Sequence, residues 1–180
     1  MHLLHLRLAD RSMGPIGAAR EVAAEIAHDP GAFAVVVDGL AHPDEGVRNR
    51  SAWALDVATR SYPRRLSPHA DALLTVAHAD RNGGMLRRLL PLLVSRVRLT
   101  PAQARRVTVW ALGLLDRSRV ADQANLLSAL AAVAVAHPNL APAVVTRLHV
   151  ALDHPAPSVC ARARHLCARL DRHGVSPADA

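Results

Sequence analysis

Almost no side chain in this sequence carries an aromatic ring: aromatics are 2% of residues, against 51% that are hydrophobic. A core drawn from Ala, Leu and Val suits closely packed helices and argues against sandwiches and barrels, whose strands use aromatic and β-branched residues. Lysine is missing altogether, so all 22 basic side chains are arginines and the formal charge is +7. Cysteine is scarce too. Cys160 and Cys167 stand seven apart in one predicted helix, about 10 Å along its axis and too far for a disulfide. Without CxxC spacing they make poor metal ligands, so they read as small core residues, and the cytoplasm follows as the expected compartment.

Long apolar runs are also absent. The longest, Leu126 to Ala136, is interrupted by Ser128 and falls below the span a membrane helix needs, so a core helix is expected and a membrane is not. The first ten residues, MHLLHLRLAD, acquire Arg7 and Asp10 and lack both a basic leader region and a small-residue cleavage site. No GxGxxG or GxxxxGK loop cradles a phosphate, and no Gly-x-Ser-x-Gly elbow presents a nucleophile. The 11 histidines are scattered, and none forms an i, i+4 ligand pair backed by a carboxylate. The sequence therefore marks no catalytic residue, no metal site and no cofactor. An enzyme is not the expected reading.

What the chain does have is proline used as punctuation. Asp29-Pro30, Ser67-Pro68 and Thr100-Pro101 each offer a capping side chain followed by Pro at the first helical position, and Gln103 completes a capping box with Thr100. His42-Pro43, His137-Pro138 and His154-Pro155 close helices, because the residue before Pro is pushed out of the helical region. Between these marks the spacing predicts about ten helices and no strands: near 2–10, 15–28, 31–41, 45–61, 68–79, 84–97, 101–116, 120–136, 140–152 and 157–172. Pro91 falls inside one of them and is expected to bend it. Histidines at helix ends are expected to cap carbonyls. The expected organisation is one domain over residues 1–173 with a frayed tail at 174–180.

A helical-pair motif returns at intervals close to forty residues, clearest from Phe33 to Arg60. Val47, Met85, Val120 and Val159 stand near the start of the second helix of successive pairs. The aliphatic first helix, the turn His42-Pro43-Asp44-Glu45, the pair Val47-Arg48, and Ala52, Leu55 and Ala58 behind it resemble the HEAT-repeat (armadillo-like) family over residues 30 to 172, and as a whole chain the sequence is similar to short bacterial HEAT-like proteins. That resemblance implies an all-α, right-handed α-α superhelix of roughly four to five helical pairs, used as a non-enzymatic scaffold. It also implies that Asp44 and Arg48 join a ladder between repeats, although Leu86, Ala121 and Cys160 replace the arginine in later copies.

By the same resemblance, second helices line the concave side of the solenoid. Arg48, Arg60, Arg87, Arg88, Arg96, Arg162, Arg164 and Arg169, with Trp53 beside them, are then candidates to bind a protein or another anionic partner. The alternative is a nucleic-acid-binding or DNA-processing module, since HEAT-like alkylpurine DNA glycosylases place aromatics and an Asp in a basic groove; here Trp53, Trp110, Tyr62 and Asp56 would serve. On a helical wheel Arg50 falls inside the apolar face, so it reads as structural, paired with Asp44 or with an acidic group on a neighbouring helix.

Overall fold

The computed structural model describes residues 2–10, 12, 14, 16–79 and 84–175, with the backbone alone at 84–87. Among the described residues the chain is all-helical, with ten α-helices and no strand. They run α1 Leu3–Ala9, α2 Ala19–Ile26, α3 Pro30–Asp38, α4 Glu45–Ser61, α5 Ala70–Ala77, α6 Gly84–Val94, α7 Pro101–Leu115, α8 Val120–Ala136, α9 Ala141–Leu152 and α10 Pro157–Arg172. Short 3₁₀ segments at Gly39–Ala41, Pro63–His69 and Pro138–Leu140 join them. None of the helices is long and apolar enough to cross a membrane.

Local chemistry explains most of the boundaries. Asp29 caps α3 by accepting from the amides of Gly31 and Ala32, and Thr100 and Gln103 form the reciprocal capping box of α7. Ser67 departs from expectation. Pro68 lies within a 3₁₀ segment, α5 begins after His69 without a side-chain cap, and the Ser67 hydroxyl accepts from the Arg98 amide. Two of the three histidines before proline also act with the opposite polarity to that expected. Nδ1 of His42 accepts from the Asp44 amide at 3.1 Å, and Nδ1 of His154 accepts from the Ala156 amide at 3.0 Å, so each ring steadies the turn into the next helix.

The chain divides into two compact units, Met1–Arg98 and Leu99–Ala180. In the first, α4 packs against α1, α2, α3 and α6, while α1 touches α3 and α3 touches α5. In the second, α8 packs against α7, α9 and α10. Both central helices are buried on most of their circumference, by Val47, Ala52, Ala54, Leu55 and Ala58 in α4 and by Leu126, Leu127, Leu130, Ala131 and Val133 in α8. A helix buried on most of its circumference must be enclosed by neighbours, and small Ala side chains let those neighbours approach closely.

The second helices begin at Glu45, Gly84, Val120 and Pro157, steps of 39, 36 and 37 residues. Val47 and Val159 occupy the third helical position and are buried. Val120 is instead the first residue of α8 and 41% exposed, and the third position there belongs to Asp122, which is 6% exposed. The third anchor is thus shifted by two residues. At the other end of α10, Gly174 adopts φ +69°, its amide bonds to the Asp171 carbonyl, and the Val175 amide reaches back to Leu170 at 3.0 Å. Val175 and Leu170 are both buried, which completes a Schellman cap. Gly174 and Val175 therefore belong to the fold rather than to a frayed tail, and residues 176–180 of that expected tail lie outside the described residues.

One close approach sets a limit on the first unit. A Cβ added at Gly39 would sit 2.3 Å from the Ser51 hydroxyl, which is itself buried and without a hydrogen-bond partner among the described residues. We expect Gly39→Ala to cost about 1–3 kcal/mol by overpacking. Ser51→Ala should be close to neutral, since it removes an unsatisfied hydroxyl. Urea unfolding of both variants checks the pair, and equal losses would contradict it.

Candidate functional site

The arginines divide into those the fold consumes and those it leaves outward. Around α4 they are consumed. Asp56 is 3% exposed, and both of its oxygens are occupied: Oδ2 accepts from Arg60 at 2.6 Å and Oδ1 from Arg96 at 2.7 Å. Arg96, just beyond α6, also donates to the Asp56 carbonyl at 3.0 Å and to the Thr59 hydroxyl at 2.9 Å. One guanidinium thus ties the end of α6 to the middle of α4. A buried carboxylate persists only when its charge and lone pairs are met in this way.

Other arginines cap helix ends. Arg50, 5% exposed, donates through Nε to the Leu8 carbonyl and through Nη2 to the Ala9 carbonyl at 3.1 Å. Its hydrogen-bond partners are therefore backbone groups at the end of α1. Asp10 adds negative charge nearby. The Ser12 amide and hydroxyl hold the Asp10 carboxyl below its ordinary range, and the Arg50 charge adds to this. Arg65 caps α2 through the Ile26 carbonyl at 3.0 Å while lying over the Tyr62 ring. Arg117 closes α7 through Gly113. The last carbonyls of a helix lack intrahelical donors and carry its negative dipole end, so a guanidinium satisfies both needs.

Arg48 bends back onto its own turn, donating Nη1 to the carbonyls of His42 and Pro43 at 2.8 Å each. Asp44 caps α4 by accepting from the Val47 amide at 3.0 Å. Of the sequence candidates, then, Arg48, Arg60 and Arg96 are engaged within the first unit. Arg88 is exposed and already has an interaction partner. The side chain of Arg87 lies outside the described residues. Trp53 is half-buried on α4, and the Asp56 that was to share a groove with it is sealed beneath two arginines. Trp110, the other candidate stacking platform, is buried in the second unit.

The cysteines take small-residue positions. Cys160 is buried and donates its thiol to the Leu152 carbonyl at 2.9 Å. Burial pushes the Cys167 thiol above its ordinary value of 9.0, and the Asp171 carboxylate pushes it further. The thiolate is therefore suppressed at neutral pH, and the thiol–disulfide chemistry that needs it is slow. We expect the native chain at pH 8 to react with a thiol reagent more slowly than free cysteine does, and unfolding in guanidinium chloride to abolish the difference. Fast native labelling of Cys167 would contradict this. Imidazoles gather near α1, where the His5 ring lies 5.2 Å from His42 and 6.3 Å from His2. No group of three or more His, Cys, Asp or Glu residues is arranged to hold a metal ion among the described residues.

Among the arginines the sequence singles out, the outward and unpaired ones lie on α10. Val159, Ala163, Leu166 and Leu170 form its buried face. Arg162, His165, Arg169 and Arg172 follow one another at helical spacing along another face, with Arg169 half-buried and the other three exposed. Positions three and four apart share one side of a helix, so these four form a stripe about 15 Å long. None has a hydrogen-bond or ion-pair partner among the described residues. Arg164 is equally unpaired but sits two residues from Arg162, well round the helix, on the side of Asp171. The structure thus keeps Arg162 and Arg169 together and separates Arg164 from them. It adds His165 and Arg172, which the sequence reading did not select although their spacing from Arg162 is visible there. Searches against family models, curated proteins and solved structures find no match to this chain.

Proposed function

We propose that the helix pairs stack as a HEAT-like solenoid and that the chain is a non-enzymatic scaffold, binding an acidic segment of a protein partner along the outward stripe of α10. The stacking reading is supported by the packing of each first-unit helix on the next but one, α1 on α3 and α2 on α4, and by the regular steps between second helices. The binding reading rests on one observation: Arg162, Arg169 and Arg172 carry their charge outward, unpaired among the described residues. Guanidinium forks match carboxylates, and an exposed stripe of them would recruit an acidic partner quickly and in a salt-sensitive way. Nucleic-acid binding, the other use of such a face, has less support: Trp110 is buried, the Asp56 carboxylate near Trp53 is sealed by two arginines, and the exposed Tyr62 ring already lies against Arg65.

Fluorescence anisotropy with a labelled glutamate-rich peptide tests the reading. Binding at low salt that weakens as salt rises, and that falls about tenfold or more in an Arg162→Gln/Arg169→Gln/Arg172→Gln variant, is the expected result. No peptide binding, with salt-dependent binding of generic duplex DNA instead, would favour the nucleic-acid reading.

A further inference from the structure

A cavity of about 270 Å³ opens within the first unit, between the turn that follows α3, the first turns of α4, and the end of α5. Leu40, Ala41, Val76 and Ala79 make its walls largely apolar, and Arg48 and His42 also line it. The Thr75 hydroxyl, though on the lining, is committed to the Asp71 carbonyl at 2.9 Å.

The hydrogen bonds of Arg48 and His42 decide what the cavity can hold. Both hydrogens of Arg48 Nη1 are used by the His42 and Pro43 carbonyls, which fixes the plane of the guanidinium. What remains is the edge formed by Nε–H and Nη2–H, and neither group finds an acceptor among the described residues. That edge is the fork that takes a carboxylate through two parallel hydrogen bonds. His42 accepts the Asp44 amide at Nδ1, so the neutral ring carries its proton on Nε2, a further donor with no acceptor among the described residues. The lining residues thus supply spare N–H donors and positive charge beside apolar walls, and the volume lies just below the roughly 300–1,000 Å³ typical of drug-sized ligands.

We propose that this cavity binds a small aliphatic monocarboxylate of about four to six carbons, its carboxylate on the free edge of Arg48 and on His42, and its chain against Leu40, Val76 and Ala79. The site is separate from the α10 stripe, and neither proposal depends on the other.

Titrating the full chain with sodium acetate, butanoate and hexanoate, read by amide chemical shifts, tests it. Saturable shifts should centre on residues 40–48 and 75–79, and affinity should rise about fourfold per added methylene from acetate to butanoate. Hexylamine, with the same chain and the opposite charge, should not bind there. Arg48→Gln should abolish saturation, and Arg48→Lys should not restore it, because an ammonium lacks the fork. Since losing Arg48 also frees two turn carbonyls, Ala79→Phe is the second variant: it fills the cavity from an exposed position and should abolish binding while unfolding stays unchanged. Acetate binding as tightly as hexanoate, hexylamine binding equally well, or unaltered titration of Ala79→Phe would each overturn the proposal.

Discussion

Replacing Asp56 with alanine lowers the stability of the first unit by about 3–5 kcal/mol, because it strands the Arg96 guanidinium in a largely buried position. The carboxylate is 3% exposed and accepts from two arginines, and its own backbone carbonyl takes a third bond from Arg96. The two arginine contacts are unequal. The Arg60 side chain is 65% exposed, so Arg60→Ala should cost no more than about 0.5 kcal/mol, typical of a solvent-screened i, i+4 pair. The Arg96 side chain is 21% exposed and bonds to Thr59 as well, so its loss should approach that of Asp56. Thermal unfolding gives the check, with Asp56→Ala melting about 10 °C below the parent. If Asp56→Ala melts with the parent, the network is decoration.

Outside that network, Arg50→Met has the largest expected effect, about 3 kcal/mol, because it leaves the Leu8 and Ala9 carbonyls unpaired at a buried helix end. Methionine keeps most of the aliphatic stem, so the loss reports the hydrogen bonds rather than a cavity. The effect should also be local. Hydrogen exchange should accelerate across α1, Leu3–Ala9, before it does so in α4, since the guanidinium is what ties the end of that helix to the unit. Uniform acceleration throughout the unit would show that Arg50 acts through the core and not as a cap.

Much of this architecture is legible in the sequence because it is local. Thr100 and Gln103 stand three apart, Asp29 precedes Pro30, and Leu126 to Ala136 is apolar but for Ser128, so each element carries its own signal. The arginines were not legible for the converse reason. Arg50 meets carbonyls 41 and 42 residues away, and Arg96 meets Asp56 from 40 residues away. A helical wheel places Arg50 on the inner face, and there its information ends; which group it meets depends on how the helices stack. The shifted anchor in α8 has a similar origin. Val120 looks like Val47 in a string of letters, but the helix begins at Val120 itself, which turns it outward and brings Asp122 into its place. Gly174 marks the helix end in the sequence, whereas the burial of Val175 against that end depends on the packing of α10.

The arginines behind the charge of +7 are therefore in two different situations. Arg48, Arg50, Arg65 and Arg96 close turns, helix ends and a buried carboxylate in the first unit, whereas Arg162, Arg169 and Arg172 point outward from α10 in the second. Arginine-selective modification with phenylglyoxal, followed residue by residue by mass spectrometry on the native chain, tests this division most directly. An engaged guanidinium must first break hydrogen bonds worth about 1–3 kcal/mol, so Arg50 and Arg96 should react about tenfold or more slowly than Arg162 and Arg172. Equal rates at the four positions would contradict the account.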